Sequence, residues 1–138
     1  MAGPLVTADT SVVIPLLSPW HDAHRSVLAP ARSVSRLPAH VLFETVACLS
    51  RLPQGLSTTP TQVLAALRSR FRGDALTLDA EQAWAPLDAV ADAGLSGGQV
   101  YDAIVAVTAK AAGAKLLSLD RRAERTYRAI GVEFEMLD

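Results

Sequence analysis

The sequence holds a single cysteine, Cys48, in 138 residues. No internal disulfide can form, and cysteine-based zinc-finger ligation is excluded. Aromatic residues are few: two Trp, two Tyr and three Phe. Long apolar runs are missing as well. The stretch Val12–Leu17 is interrupted by Pro15 and falls far short of the roughly 20 residues a membrane helix needs. Met1-Ala2-Gly3-Pro4 has no basic region ahead of an apolar one, so the expected location is the cytosol, with no membrane partner. Excess charge of one sign is lacking too. A net charge of −1 makes the chain a poor global attractor for nucleic acid, whose binding is driven largely by phosphate neutralisation. No Gly-x-Gly-x-x-Gly is present, and Gly94-Leu95-Ser96-Gly97-Gly98 follows no strand, which removes a nucleotide-binding loop.

What is present is an apolar half, rich in Ala, Val and Leu, enough to bury one core, so residues 1–138 are expected to form one domain. Eleven of the thirteen basic residues are Arg, a bias that either a GC-rich gene or phosphate contact would produce. Strand and helix patterns alternate along the chain. Leu5–Ala8 reads as a strand, and Thr10 or Ser11 can cap a short helix through Leu17. Trp20–Ala29 reads as a helix stopped by Pro30, and Val34–Leu37 as a weak strand. Pro38 opens a helix over Ala39–Leu52, and Thr59-Pro60 starts another that runs to Arg72. Ala75–Leu78 is a strand, and Ala80–Ala93 is helical with a kink or restart at Pro86. Gln99–Ala112 has the best helical period, with Val100, Ile104, Val107 and Ala111 on one face. Lys115–Leu119 is a strand, Arg121–Ile130 a helix and Val132–Phe134 a last strand. Gly73, Gly113 and Gly131 each follow a helix and precede a strand, as C-capping glycines do. This alternation predicts an α/β fold with a mainly parallel sheet and helices on both faces.

Ligands of such sheets bind at the carboxyl edge of the strands. Four acids map there by topology. Asp9 follows the first strand and Asp120 the strand Lys115–Leu119. Asp102 sits in the first turn of the helix that precedes that strand, and Glu44 early in the helix leaving Val34–Leu37. Each has a plain structural alternative: Asp9 and Asp120 as N-caps, Asp102 as a helix-dipole partner, Glu44 as a solvated helix residue. Against it, Glu44 has Phe43, Val46 and Ala47 around it, and Asp102 heads the run Ala-Ile-Val-Ala-Val with no Lys or Arg within a helical turn. A buried carboxylate needs a partner, and a cation from outside would supply one.

The ordered set Thr7-Ala8-Asp9-Thr10-Ser11, Leu42-Phe43-Glu44-Thr45, Tyr101-Asp102-Ala103-Ile104 and Leu117-Ser118-Leu119-Asp120 resembles the acidic signature of PIN domains of the VapC toxin type. The match spans nearly the whole chain. The resemblance implies a three-layer α/β/α sandwich around a parallel sheet. It makes Asp9, Glu44, Asp102 and Asp120 metal-binding catalytic acids, with Thr10 and Ser118 as polar supports. It also implies a ribonuclease that cuts structured RNA such as tRNA or rRNA loops, a homodimer, and a cognate VapB-type antitoxin that silences it. Anionic oxygen ligands select hard cations, so Mg²⁺, or Mn²⁺ in its place, is expected. Such a cation activates water for in-line attack on phosphorus, alone or as one of a pair, leaving a 5′-phosphate and a 3′-hydroxyl. The apolar residues Val41, Leu42, Val46 and Leu49, with Val63, Leu64, Leu67 and Phe71, are many for two exposed helices and agree with a dimer.

Setting the four acids aside leaves thirteen basic against ten acidic residues. Arg121 and Arg122 follow Asp120 directly and are the expected phosphate contacts, within a cluster that continues to Arg125 and Arg128. Arg68, Arg70 and Arg72 form a second cluster, and a solvated helix face is the plain reading of both. His21 and His24 are expected on an exposed helix face rather than on a metal, Cys48 in the core, and Trp20 and Trp84 in packing rather than under bases. His40 shares a helix face with Glu44 and could hydrogen-bond it. Two other folds gather acids around Mg²⁺. A receiver-like signalling domain needs an acceptor Asp, for which Asp79 is the candidate, and a Lys after a later strand; no Lys follows the last strand. A haloacid-dehalogenase-like phosphatase needs Asp-x-Asp, and Ser11 stands two residues after Asp9. A catalytically silent PIN-like binding module is the remaining alternative.

Overall fold

The computed structural model describes residues 3–138. Three strands, β1 (Val6–Ala8), β2 (Lys115–Ser118) and β3 (Phe134–Met136), form a parallel sheet in that order. Val6 lies opposite Lys115 and Ala8 opposite Leu117, while Leu116 faces Phe134 and Ser118 faces Met136. Successive side chains of a strand point to opposite faces. Thr7 and Ala8, and likewise Leu116 and Leu117, are all buried, so both faces of the sheet are covered. The described residues form seven helices: α1 (Thr10–Leu17), α2 (His24–Leu28), α3 (Ala39–Ser50), α4 (Pro60–Arg70), α5 (Ala85–Ala93), α6 (Gln99–Ala111) and α7 (Glu124–Ile130). The result is the α/β fold that the alternation predicts, in the three-layer form that the family resemblance implies. One continuous core takes residues from Ala8 to Leu137, and a smaller cluster of Val90, Leu95 and Ala103 lies between α5 and α6. No helix among the described residues is long and apolar enough to cross a membrane.

The helix signals of the sequence act as expected at several ends. Thr59 accepts from the Gln62 amide at 3.2 Å while the Gln62 side chain accepts from the Thr59 amide at 3.0 Å, and Pro60 occupies the first helical position. Such a capping box satisfies two otherwise orphaned donors. Pro86 restarts the chain as α5 after a turn of 3₁₀ helix at Gln82–Trp84. Gly131 closes α7 in the left-handed conformation, φ 79°.

Other expectations are corrected. Val34–Leu37 and Ala75–Leu78 are not strands; a single parallel bridge, Pro38 with Leu76, is what remains of their pairing. Proline has no N–H to extend a ladder. Trp20–Ala29 yields only the five residues of α2, followed by a 3₁₀ turn at Pro30–Ser33. The last strand begins two residues later than expected, at Phe134. Gly73 is not a left-handed cap. Its amide donates to the Ser35 carbonyl at 2.9 Å, and a Cβ there would collide with Cγ of Arg36, so the Arg36 side chain lying over this position is what favours glycine. On α6 the buried positions are Ala103, Val105, Ala106, Thr108 and Ala109, not the stripe of Val100, Ile104, Val107 and Ala111. The helix is flanked by β2, α3, α5 and α7, and its buried positions are mostly small residues. The apolar set offered for a dimer is mostly core: Val41, Leu49, Val63, Leu67 and Phe71 are buried. Phe43, absent from that set, is 75% exposed.

Candidate active site

Asp9 leaves β1 in an extended conformation and caps α1. Its Oδ1 accepts from the Ser11 amide at 3.1 Å and the Ser11 hydroxyl at 2.5 Å, and its Oδ2 accepts from the Tyr127 phenol at 2.7 Å. The residue is 5% exposed. Burial pushes its carboxyl above the usual range, hydrogen bonding from Ser11, Ser118 and Tyr127 opposes this, and the Asp120 charge adds to it. Asp120 repeats the arrangement at the end of β2, accepting from the Arg122 amide at 3.0 Å while its own amide donates to the Ser118 hydroxyl at 3.0 Å. Both N-cap readings of the sequence are therefore true, and both caps face one cavity.

Asp102 occupies the first turn of α6 and is half-buried. Its carboxyl is pushed up to about 6, first by burial and then by the charges of Asp120, Asp9 and Glu44, with the Arg122 charge pulling the other way. The four acids thus share one electrostatic field. Glu44, one turn into α3, accepts from the Thr10 hydroxyl. All four line a cavity of about 100 Å³ together with Thr10, Ser11, Tyr101, Val105 and Tyr127.

Among the described residues no basic side chain lies within 4.0 Å of the Asp9 or Asp102 carboxylate. The donor set is all oxygen and anionic, the kind that hard divalent cations take. In chemistry the residues suit such an ion. Their side chains, however, are not drawn to a common centre: among the described residues no group of three acids, histidines or cysteines is close enough to hold a metal. Like charges repel when uncompensated, and three of the acids lean on donors of their own: Asp9 on Ser11 and Tyr127, Glu44 on Thr10, and Asp120 on the Arg122 amide.

Arg122 is almost fully exposed, with its Nε 3.9 Å from Asp120, and Arg121 reaches Asp138 at 3.5 Å. Arg128 pairs with Glu124 at 2.5 Å. Arg70 is structural rather than a solvated charge, since it donates to the Val34 and Ala31 carbonyls at 2.8 and 2.6 Å. His24 bonds the Pro15 carbonyl at 2.8 Å, and His21 accepts from the Ala23 amide at 3.0 Å from outside the helix. His40 lies 3.9 Å from Glu44, beyond hydrogen-bond reach. Cys48 is half-buried at the core's margin. Trp20 and Trp84, expected in packing, are exposed, and neither lines the acid cavity.

Four cavity residues escape a reading by sequence, the apolar Val105 and three that carry a hydroxyl. Ser11 has a local signal, since an N-capping Asp9 must accept from a residue two or three positions on. Tyr101 has only its adjacency to Asp102. Tyr127 has none, because the contact spans 118 positions.

A model of the PIN domain matches residues 6–129. Ribonuclease VapC40 of Mycobacterium tuberculosis is 38% identical over 133 residues, covering 96% of this chain and 99% of the relative. Ribonuclease VapC27 of the same organism is 39% identical over 130 residues, covering 94% of each chain. The crystal structure of DNA-bound VapBC from Salmonella typhimurium superposes with a TM-score of 0.69 at 20% identity, covering 97% of this chain and 98% of that one. The acids at the sheet edge, the matched family and the shared fold agree, and the chain belongs to the PIN-domain family, in its VapC type.

Proposed function

We propose that this chain is the toxin of a VapBC pair, a metal-dependent endoribonuclease that hydrolyses phosphodiester bonds of structured RNA and is silenced by a cognate VapB-type antitoxin. The observation that carries the reading is the gathering of Asp9, Glu44, Asp102 and Asp120 around one small cavity. The names of the relatives, ribonucleases of nearly equal length, support the substrate class. Structural neighbours solved as VapBC and FitAB complexes support the antitoxin.

The four acids would hold Mg²⁺ or Mn²⁺. When bound, the ion supplies Lewis acidity that activates water and withdraws charge from the phosphate. The chain's own groups do the rest. Ser11 and Tyr127 fix the orientation of Asp9, and Thr10 fixes that of Glu44. Asp102 and Asp9, half-buried and buried, hold their carboxylates in a setting of lower dielectric than bulk water, and electrostatic attraction to a cation is stronger there. Arg122, free in solvent beside Asp120, is placed to meet a phosphate. No side-chain nucleophile is needed, and the expected products carry a 5′-phosphate and a 3′-hydroxyl.

The spread of the carboxylates favours a second reading, a catalytically silent binding module. Incubation of the purified protein with Mn²⁺ and total cellular RNA separates the two. The proposed enzyme cleaves, EDTA stops it reversibly, and Asp9→Asn or Asp102→Asn abolishes both cleavage and growth inhibition. Full cleavage by a folded Asp102→Asn protein in EDTA overturns the proposal.

A further inference from the structure

One ring lines the acid cavity and a second stacks against it, and the chemistry proposed above leaves both unused. Tyr101 lines the cavity, yet it is 56% exposed. Its ring stacks on the His40 imidazole, with centroids 5.4 Å apart and planes within 9°. His40 Nε2 is buried and has no hydrogen-bond partner. The placement follows from the helices. Tyr101 precedes Asp102 in the first turn of α6, and His40 lies one turn before Glu44 on α3. The two helices that bring in acids therefore also bring in the rings.

A single exposed tyrosine needs no explanation. A tyrosine braced flat against a second ring, at the edge of a cavity lined by four carboxylates, has given up its rotamer freedom in advance. That lowers the entropy lost when something lands on its open face. Unpaired RNA offers a suitable partner, because splayed bases stack on aromatic side chains whatever their identity. The other large exposed aromatics, Trp20, Phe43 and Trp84, do not line this cavity.

We propose that Tyr101, braced by His40, is a stacking platform for one unpaired nucleobase beside the acid cavity. The substrate is then single-stranded at that nucleotide, and a continuous duplex is excluded. The inference rests on the ribonuclease reading and narrows its substrate class.

The test is binding of a short unstructured RNA oligonucleotide in EDTA, where the proposed enzyme does not turn over, with an abasic nucleotide walked through each position. Tyr101→Ala is expected to weaken binding about five- to a hundredfold, and Tyr101→Phe, which keeps the ring, to restore it. Trp84→Ala, an exposed aromatic away from the cavity, serves as the control and binds as wild type does. Wild type loses affinity at one abasic position, where Tyr101→Ala loses nothing further. Unchanged binding by Tyr101→Ala, an equal loss in Trp84→Ala, or additive losses at every abasic position overturns the platform. If wild type cleaves RNA in Mn²⁺ while Tyr101→Ala binds equally well, only this inference falls. A wild type that neither binds nor cleaves overturns both.

Discussion

The Tyr127 phenol donates to Oδ2 of Asp9 at 2.7 Å, joining the first strand's end to the last helix. Both groups are buried. The bond favours the ionised carboxylate, opposing the upward push of burial. Tyr127→Phe keeps the ring and its edge contact with Phe134 but drops the donor. The Asp9 carboxyl then rises further, and the acid limb of a pH–cleavage profile moves to higher pH. Mn²⁺ affinity is expected to fall about 10- to 100-fold, as when other groups that orient metal ligands are lost. Calorimetric titration with Mn²⁺ measures it, and equal affinities in the two proteins would refute the role.

Asp102→Asn is expected to be inactive yet more stable than wild type in EDTA near pH 7.5. The Asp102 carboxyl stands at about 6 against an ordinary 3.8, which corresponds to roughly 3 kcal/mol for a fully buried group. Partial exposure reduces the gain to about 1–2 kcal/mol. Because the folded value lies above the unfolded one, the penalty is complete above pH 6 and fades as pH falls through 6 toward 3.8. Metal-free wild type should therefore gain ground on the variant over that window. Mn²⁺ should stabilise wild type by about 2.7 kcal/mol at a hundredfold excess over Kd, and so raise its melting temperature more than the variant's. Paired melts with and without Mn²⁺ decide. A variant that melts below wild type in EDTA, with equal metal shifts, removes Asp102 from the site.

Arg122 and Arg121 differ in their partners. Arg122 lies beside a cavity acid, whereas Arg121 reaches Asp138 near the chain's end. Arg122→Ala is expected to weaken RNA binding by about 1–3 kcal/mol or less and to flatten its salt dependence by about one counterion. Arg121→Ala should do less. Titrations at several salt concentrations test this, and unchanged slopes in both variants return the pair to an ordinary solvated face.

A homodimer is expected on family grounds. Its structural motive is narrower than the sequence suggests. Phe43 and Leu64 are exposed beside half-buried Leu42 and Val46, along a groove of about 310 Å³ between α3 and α4. Light scattering at micromolar concentration should report a dimer, and a monomer throughout that range counts against it.

The four acids could be read from the sequence because each is tied to a local landmark: a strand end for Asp9 and Asp120, a helix's first turn for Asp102, and the next turn of α3 for Glu44. The sheet edge then collects them without any knowledge of distant contacts. The α/β class was legible for the same reason, since alternation and capping are local. What could not be read is pairing across the chain. Residues 34–37 and 75–78 have strand composition, but their partnership shrinks to one bridge at Pro38. The buried side of α6 depends on four neighbours at once, so a single apolar stripe misjudged it. Trp20 and Trp84 were expected in packing on size alone, yet small side chains fill this core and leave them outside. Tyr127 reaches Asp9 only because α7 returns beside β1's end.

The Leu119 amide donates to the Ser11 hydroxyl at 2.8 Å, and that same hydroxyl donates to Asp9. One oxygen therefore clasps the ends of two adjacent strands and a site carboxylate together. The Leu119 amide proton is consequently a built-in gauge of the cavity's state. Its exchange with solvent deuterium and its chemical shift should follow the charge carried by Asp9, so an ion entering the cavity would register at a backbone position that never touches it.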